Sequence, residues 1–283
     1  MSHGMKPADL DGWWLNLPKA LDRATSMRTN LKALALENHY KRFEAGLGNP
    51  SAAAARELAV GEAGAWCSWL RLLEQASRSE AEIVHLLEDD TELTEGLEAL
   101  LRWDGLHSLL AQGAIVCTDG YVSPSQARLL LTHPSWSQGW QCITEGLPVP
   151  CIGSMLATPS TWQQAHQQLQ HHWDAGEKLA PIDLMMGQIQ DLRVVTVAPF
   201  ATIPRMDLAR CSHIRPTGDA GQERSREALT LLRRLLRWPT TGAEETWDGA
   251  WELFWRSQPV RLQEQAVLDA LEGLVQRGHL KPY

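Results

Sequence analysis

The run Ile83-Val84-His85-Leu86-Leu87 is short, dominated by branched apolar residues, and ends in three consecutive carboxylates, Glu88-Asp89-Asp90. Bounded by helical patterns, such a run fits a strand buried on both faces, as in the parallel sheets of α/β proteins. Open α/β sheets bind their ligands at the carboxyl ends of the strands. Side chains alternate along a strand, which predicts Glu88 and Asp90 on one side and Asp89 on the other. Two carboxylates on one side of a strand end can hold a hard divalent cation, which can in turn grip a diphosphate. A solvated turn is the ordinary explanation of three adjacent acids taken alone. The neighbouring segments therefore matter.

Those segments alternate strand with helix. Trp13–Leu17 reads as a first strand halted by Pro18, and 21–40 as a helix with Leu21, Met27, Leu31 and Leu34 at helical spacing. A loop with an alanine-rich exit is expected over 46–55, and a second helix over 61–77. The acid-tipped strand follows, then a third helix over 93–110 and a short strand, Ala114–Cys117, stopped at Asp119-Gly120. Further on come a short helix (125–131), a strand within 148–157, and a glutamine-rich helix (161–173) capped by Thr158 or Ser160. A short helix over 183–190 and a strand over 192–197 complete the pattern. This alternation predicts an α/β layered domain.

Beyond residue 220 the strands stop. The stretch 222–237 is a basic amphipathic helix in which Arg224, Arg226, Arg233, Arg234 and Arg237 oppose Ala228, Leu229, Leu232, Leu235 and Leu236. Helices are also expected over 247–255 and 262–277. The expected organisation is a main domain over 1–220 and an α-helical extension over 221–283 packed on it. The basic helix fits core packing, or peripheral contact with an anionic membrane or phosphorylated glycolipid.

Composition narrows the classes. In 283 residues, 44% are hydrophobic and 21% charged, as expected for a globular chain with a sizeable core. A net charge of -8 argues against nucleic acid as a partner. The five cysteines are widely spaced with no C-x-x-C pair, which fits reduced thiols. There is no signal-peptide pattern at residues 1–10, and no apolar run nears the roughly 18 residues of a membrane span. The expected location is cytoplasmic, with a peripheral contact to the inner membrane face if the basic helix binds lipid. The 13 Trp, against 3 Tyr and 3 Phe, are expected mainly in the core. His166, His171 and His172 do not stack on one helical face and read as solvated surface.

Several segments, in order, resemble glycosyltransferase family 25, the lipooligosaccharide-type galactosyltransferases related to the procollagen galactosyltransferases. Leu15-Asn16-Leu17 with Leu21-Asp22-Arg23 and Arg28 resembles the family's I-N-L…D-R start. Tyr40–Ala45 is similar to its basic-aromatic segment, and Gly61–Trp69 to G-E-x-G-C-x-x-S-H. Leu86–Asp90 is similar to I-L-E-D-D, Gly153–Ala157 to G-x-x-x-x-[IL]-S, Pro181-Ile182-Asp183 to P-V-D, and Cys211–Ile214 to S-S-D-I. The resemblance spans about residues 13–214. Trp69 stands where the family has His, and His213 where it has Asp.

The resemblance implies a GT-A-like, Rossmann-like nucleotide-sugar fold. It implies inverting, metal-dependent transfer of a hexose, usually galactose, from a UDP-sugar to an envelope glycolipid or polysaccharide acceptor, as in lipopolysaccharide biosynthesis. The alternative is a GT-A-like nucleotide-sugar-binding or scaffold protein without turnover. Asp90, Glu88 and His213 become ligands for Mn2+ or Mg2+, with Glu88 also a donor-ribose contact and His213 otherwise a loop histidine. Asp183 becomes the general base, or simply a helix cap. Asn16, Arg23 and Arg28 become nucleotide or phosphate contacts, while Glu62 and Ser68 line the donor pocket. Charges of a solvated helix start explain Arg28, and a first-turn acid explains Glu62, equally well.

Overall fold

The computed structural model describes residues 10–120, 140–145, 153–176, 178–205, 208, 230, 233–234 and 236–237. The elements begin β1 (Leu10–Asn16), α1 (Leu21–Ala33), β2 (Tyr40–Glu44), α2 (Pro50–Ala55), α3 (Val60–Ser77), β3 (Ile83–Glu88) and β4 (Thr91–Leu93). They continue with α4 (Gly96–Leu101), α5 (Asp104–Ala111), β5 (Ile115–Cys117), β6 (Gln141–Glu145) and β7 (Ser154–Ala157). The last are α6 (Pro159–Ala175), α7 (Ile182–Met186), β8 (Val194–Ala198) and β9 (Thr202–Pro204). Seven strands form one sheet in the order β2-β1-β3-β7-β5-β8-β6, while β4 and β9 make a separate antiparallel pair.

Strand β1 is parallel to both β2 and β3, and β5 to β8. Because β7 is antiparallel to β3 on one side and β5 on the other, those two run the same way. Five strands of the sheet thus share one direction, and β7 and β6 oppose them. The carboxyl ends of β1, β3, β5 and β8 consequently lie along one edge, joined there by the start of β7. The expected α/β architecture is present.

Both faces of the sheet are covered. On β3, Val84 and Leu86 pack with Trp66, Trp69, Leu72 and Leu73 of α3 and with Trp162 and Leu169 of α6. Ile83 and Leu87 pack on the opposite face with Met27 and Leu31 of α1 and with Leu97, Leu106 and Leu110 of α4 and α5. Period-2 alternation along a strand buried on both faces explains why the run carries almost no polar residue. Trp14, Trp66, Trp69 and Trp162 are fully buried, in line with the core role expected of tryptophan here.

Several elements depart from the sequence reading. The first helix ends at Ala33, not near Tyr40: Ala35 takes a left-handed φ of 54° and the chain turns into β2. The stretch expected as a loop holds α2, because Asn49 caps it, its Oδ1 accepting from the amides of Ser51 and Ala52, and Pro50 occupies the first turn. The single helix expected over 93–110 divides into β4, α4 and α5, since Leu93 is drawn into pairing with β9 and Trp103 adopts extended geometry. Helix α6 matches its expectation, with Thr158 as the cap and Gly176 ending it at φ 69°. The expected helices at 125–131, 247–255 and 262–277 lie outside the described residues. Among the described residues, no helix is long and apolar enough to cross a membrane.

Candidate functional site

The acids end β3 where the strand geometry itself stops. Glu88 is the last strand residue and Asp89-Asp90 form a turn, so strict alternation holds for Glu88 and Asp89 but does not extend to Asp90. The turn is clamped from β7: Glu88 N and Thr91 Oγ1 both donate to Gly153 O, at 2.9 and 2.7 Å.

Asp89 faces α1. Its carboxylate accepts from Asn16 Nδ2 at 2.6 Å and from Arg23 Nη1 at 2.7 Å, and all three residues are buried. Asn16 Nδ2 also donates to Ala20 O at 3.2 Å. This use of the amide leaves Asn16 Oδ1 buried without a partner among the described residues. Arg23 reaches Asp90 Oδ2 as well, at 3.9 Å. The I-N-L…D-R segment is thereby tied directly to the acid turn.

Glu88 lies on the α3 face, beside Trp69 and within electrostatic reach of Asp183. Burial, then the charges of Asp90, Asp89 and Asp183, raise its pKa to about 8. Trp69 opposes this shift: its indole N–H is close enough for its dipole to favour the carboxylate, although Nε1 has no hydrogen-bond partner of good geometry among the described residues. Asp90 keeps 41% of its side-chain surface exposed. Desolvation and Asp89 raise its pKa, while Arg23 and Arg233 pull it down. Asp183 sits in the first turn of α7, whose cap position is Pro181, and its Oδ1 accepts from Leu184 N at 3.0 Å. The P-x-D segment thereby comes within electrostatic reach of Glu88, which it follows by 95 residues in the chain.

Two further charged residues belong to this edge. Asp119, just beyond β5, is buried and accepts from Gly120 N at 2.7 Å. Arg233 holds both its oxygens, through Nε at 2.9 Å and through Nη2. The signal for Asp119 was present in the sequence, as a second apolar strand ending in an acid. No local pattern marks Arg233, because its role depends on where the segment beyond 220 docks. That docking is visible at Leu236, which is fully buried and accepts from Phe200 N at 2.6 Å. Arg234 Nη1 meets Glu92 Oε2 at 2.9 Å and Pro204 O at 3.0 Å.

The structure brings Asn16, Arg23 and Asp90 together around Asp89, next in sequence to Glu88, and puts Asp183 within electrostatic reach of Glu88. Arg28 is on the exposed side of α1, away from the buried Arg23, Ala24 and Met27. Glu62 Oε2 accepts from Ala59 N at 2.8 Å, capping its own helix. Ser68 Oγ donates to Gly64 O at 2.6 Å and accepts from Gly46 N at 2.9 Å, holding a loop against α3. The same crossing explains Gly64: a Cβ there would lie 2.7 Å from Gly48 N. His213 lies outside the described residues. Among the described residues no three His, Cys, Asp or Glu side chains form a ready-made metal site. Glu88 and Asp90 alone would suit a magnesium ion that takes its remaining ligands from substrate phosphates and water.

No family model and no curated protein match the chain. Among solved structures it is similar to galactosyltransferase LgtC in complex with donor and acceptor sugar analogues, at 11% identity and a TM-score of 0.39, over 85% of this chain and 99% of that one. It is also similar to mannose-1-phosphate geranyltransferase from Thermus thermophilus, at 12% identity and a TM-score of 0.30, over 66% of this chain and 74% of that one. Both likenesses are loose.

Proposed function

We propose that the chain is a glycosyltransferase of the family 25 type, with a GT-A-like domain that transfers a hexose, galactose in the first instance, from a UDP-sugar to a saccharide of an envelope glycolipid or polysaccharide. The observation that carries this reading is the place of Glu88 and Asp90 at the carboxyl end of β3, with Asp183 of α7 within electrostatic reach of Glu88.

In inverting transfer the acceptor hydroxyl oxygen bonds to the anomeric carbon as the bond from that carbon to the diphosphate oxygen breaks. The diphosphate leaves with the bonding electrons, and the hydroxyl proton passes to a base. Glu88, with a pKa of about 8, holds its proton at neutral pH and is poorly suited to accept another. Asp183, across from it at the start of α7, is the base in this proposal. Without a metal, protonated Glu88 can donate a hydrogen bond to the donor's ribose or sugar; binding a divalent ion would require it to release that proton. Arg23, kept in place by Asp89, faces the diphosphate. A divalent ion bound at Glu88 and Asp90 would supply further charge neutralisation for the leaving group.

The test is UDP release from a panel of UDP-sugars with manganese or magnesium. Asp183→Asn is expected to lower kcat about 10²–10⁴-fold, the usual contribution of a positioned base, with UDP affinity retained. Full turnover by that variant would remove the base assignment. One observation favours the alternative, a nucleotide-sugar-binding scaffold: the fully buried indole of Trp69 lies against Glu88 where the family has His. Metal-dependent UDP binding with no turnover on any sugar would support it.

A further inference from the structure

Asp90 lies within electrostatic reach of two arginines, and each arginine is held by an aspartate of its own. Arg23 Nη1 lies 2.7 Å from Asp89 and 3.9 Å from Asp90. Arg233 grips both oxygens of Asp119, whose side chain is only 1% exposed. The guanidinium charges of both are felt at Asp90. A two-point carboxylate anchor sets the plane and direction of a guanidinium, unlike a single contact. Arg234, the residue after Arg233, reaches Glu92 just past the acid turn at 2.9 Å, and at that turn Asp90 is 41% exposed while the Arg23 and Arg233 side chains keep 7% and 14% of their surface. One guanidinium oriented by a two-point anchor, Arg233, and a second cation, Arg23, at the same strand edge match an anion with several oxygens.

We propose that Arg233, aligned by Asp119, is a diphosphate contact of the site. The inference rests on the nucleotide-sugar reading for the identity of the diphosphate, but not for the anion contact itself. Because Glu88 and Asp90 oppose an anion, binding is measured in magnesium.

Calorimetry on the full chain with inorganic pyrophosphate and with UDP provides the test. Arg233→Gln leaves Asp119 buried without its partner and risks misfolding. The pair Asp119→Asn with Arg233→Gln removes both charges and avoids that risk. Arg233→Lys keeps the charge but loses the fork, and Arg234→Gln, in the same segment, serves as the control. The expected result is a loss of tenfold or more in affinity for both probes in the double variant, a smaller loss with lysine, and less than twofold in the control. Affinity within twofold of wild type in a folded double variant would make Arg233 a structural tie only. So would failure of the wild type to bind either probe. Loss of pyrophosphate binding in a protein that turns over no nucleotide sugar would uphold the anion contact and overturn sugar transfer instead.

Discussion

Glu88 carries a conflict between burial and charge at the strand edge, since burial and then Asp90, Asp89 and Asp183 all press on it. A folded-state pKa of about 8, against an ordinary 4.5, means that the native protein binds a proton the unfolded chain has already released. The stability from that proton is fully present below about pH 4.5 and is lost as pH rises through about 8. Glu88→Gln removes the titration. In metal-free buffer its stability is expected to equal wild type near pH 4 and to exceed it by about 1–2 kcal/mol at pH 9, a figure reduced from the full linkage because Glu88 is partly exposed. Urea unfolding at a series of pH values reads this, and identical slopes for the two proteins would show that Glu88 titrates normally. The acid triplet was legible in the sequence because it follows an apolar strand. The division of labour within it was less so. Asp89 is the structural member, as its opposite side on the strand implied, but its partners Asn16 and Arg23 come from β1 and α1 through space.

The elements that match expectation are those with strong local signals. β3 has its apolar run, α6 its Thr158 cap and terminal Gly176, and α3 an unbroken apolar stripe beneath Glu62. The misread ones had local signals that tertiary contacts overrode. Tyr40 continues a helical spacing from Leu21, yet it starts β2, where its hydroxyl meets His85 Nδ1 at 2.6 Å. The glycines of α3 and α6 separate two roles of this residue. Gly64 allows a loop to cross the helix, and a Cβ there would meet backbone at Gly48, which cannot rotate away. Gly176 has open space around it, and only its left-handed φ of 69° resists a side chain. Gly64→Ala is therefore expected to cost about 1–3 kcal/mol, in the range of overpacking, and Gly176→Ala about 1 kcal/mol. Chemical denaturation of the two variants would check the order, and the reverse order would mean that the loop at Gly48 yields easily.

Across the whole molecule, one buried chain of polar groups ties the sheet together. Tyr40 Oη meets His85 Nδ1, His85 Nε2 meets Ser154 Oγ at 2.7 Å, Ser154 Oγ meets Thr118 Oγ1, and Thr118 Oγ1 meets Thr202 Oγ1 at 2.8 Å. It spans β2, β3, β7, the end of β5 and β9, and it sits beneath the loop at Gly153 that clamps the acid turn. Burial keeps His85 neutral, with its pKa lowered to about 3, and burial also raises that of Tyr40. Ser154→Ala takes the partner from His85 Nε2 and one of two from Thr118 Oγ1, and is expected to cost about 1–3 kcal/mol. Thr202→Val, at the end of the chain of polar groups, is expected to cost less. Unfolding free energies decide this, and equal costs would mean that the network is not continuous. Length, apolar periodicity and the acids behind a buried strand determined by themselves that this chain forms a layered α/β domain with a carboxylate triplet at a strand end. These features act between residues close in sequence, where the backbone's periods of 2 and 3.6 dictate which side chains share a face. Which acid meets which arginine, why Gly64 is required, the docking of Arg233 on Asp119 and the approach of Asp183 to within electrostatic reach of Glu88 were decided only by the tertiary structure. Those contacts join positions dozens to more than a hundred residues apart, and depend on strand order and docking that no local spacing encodes.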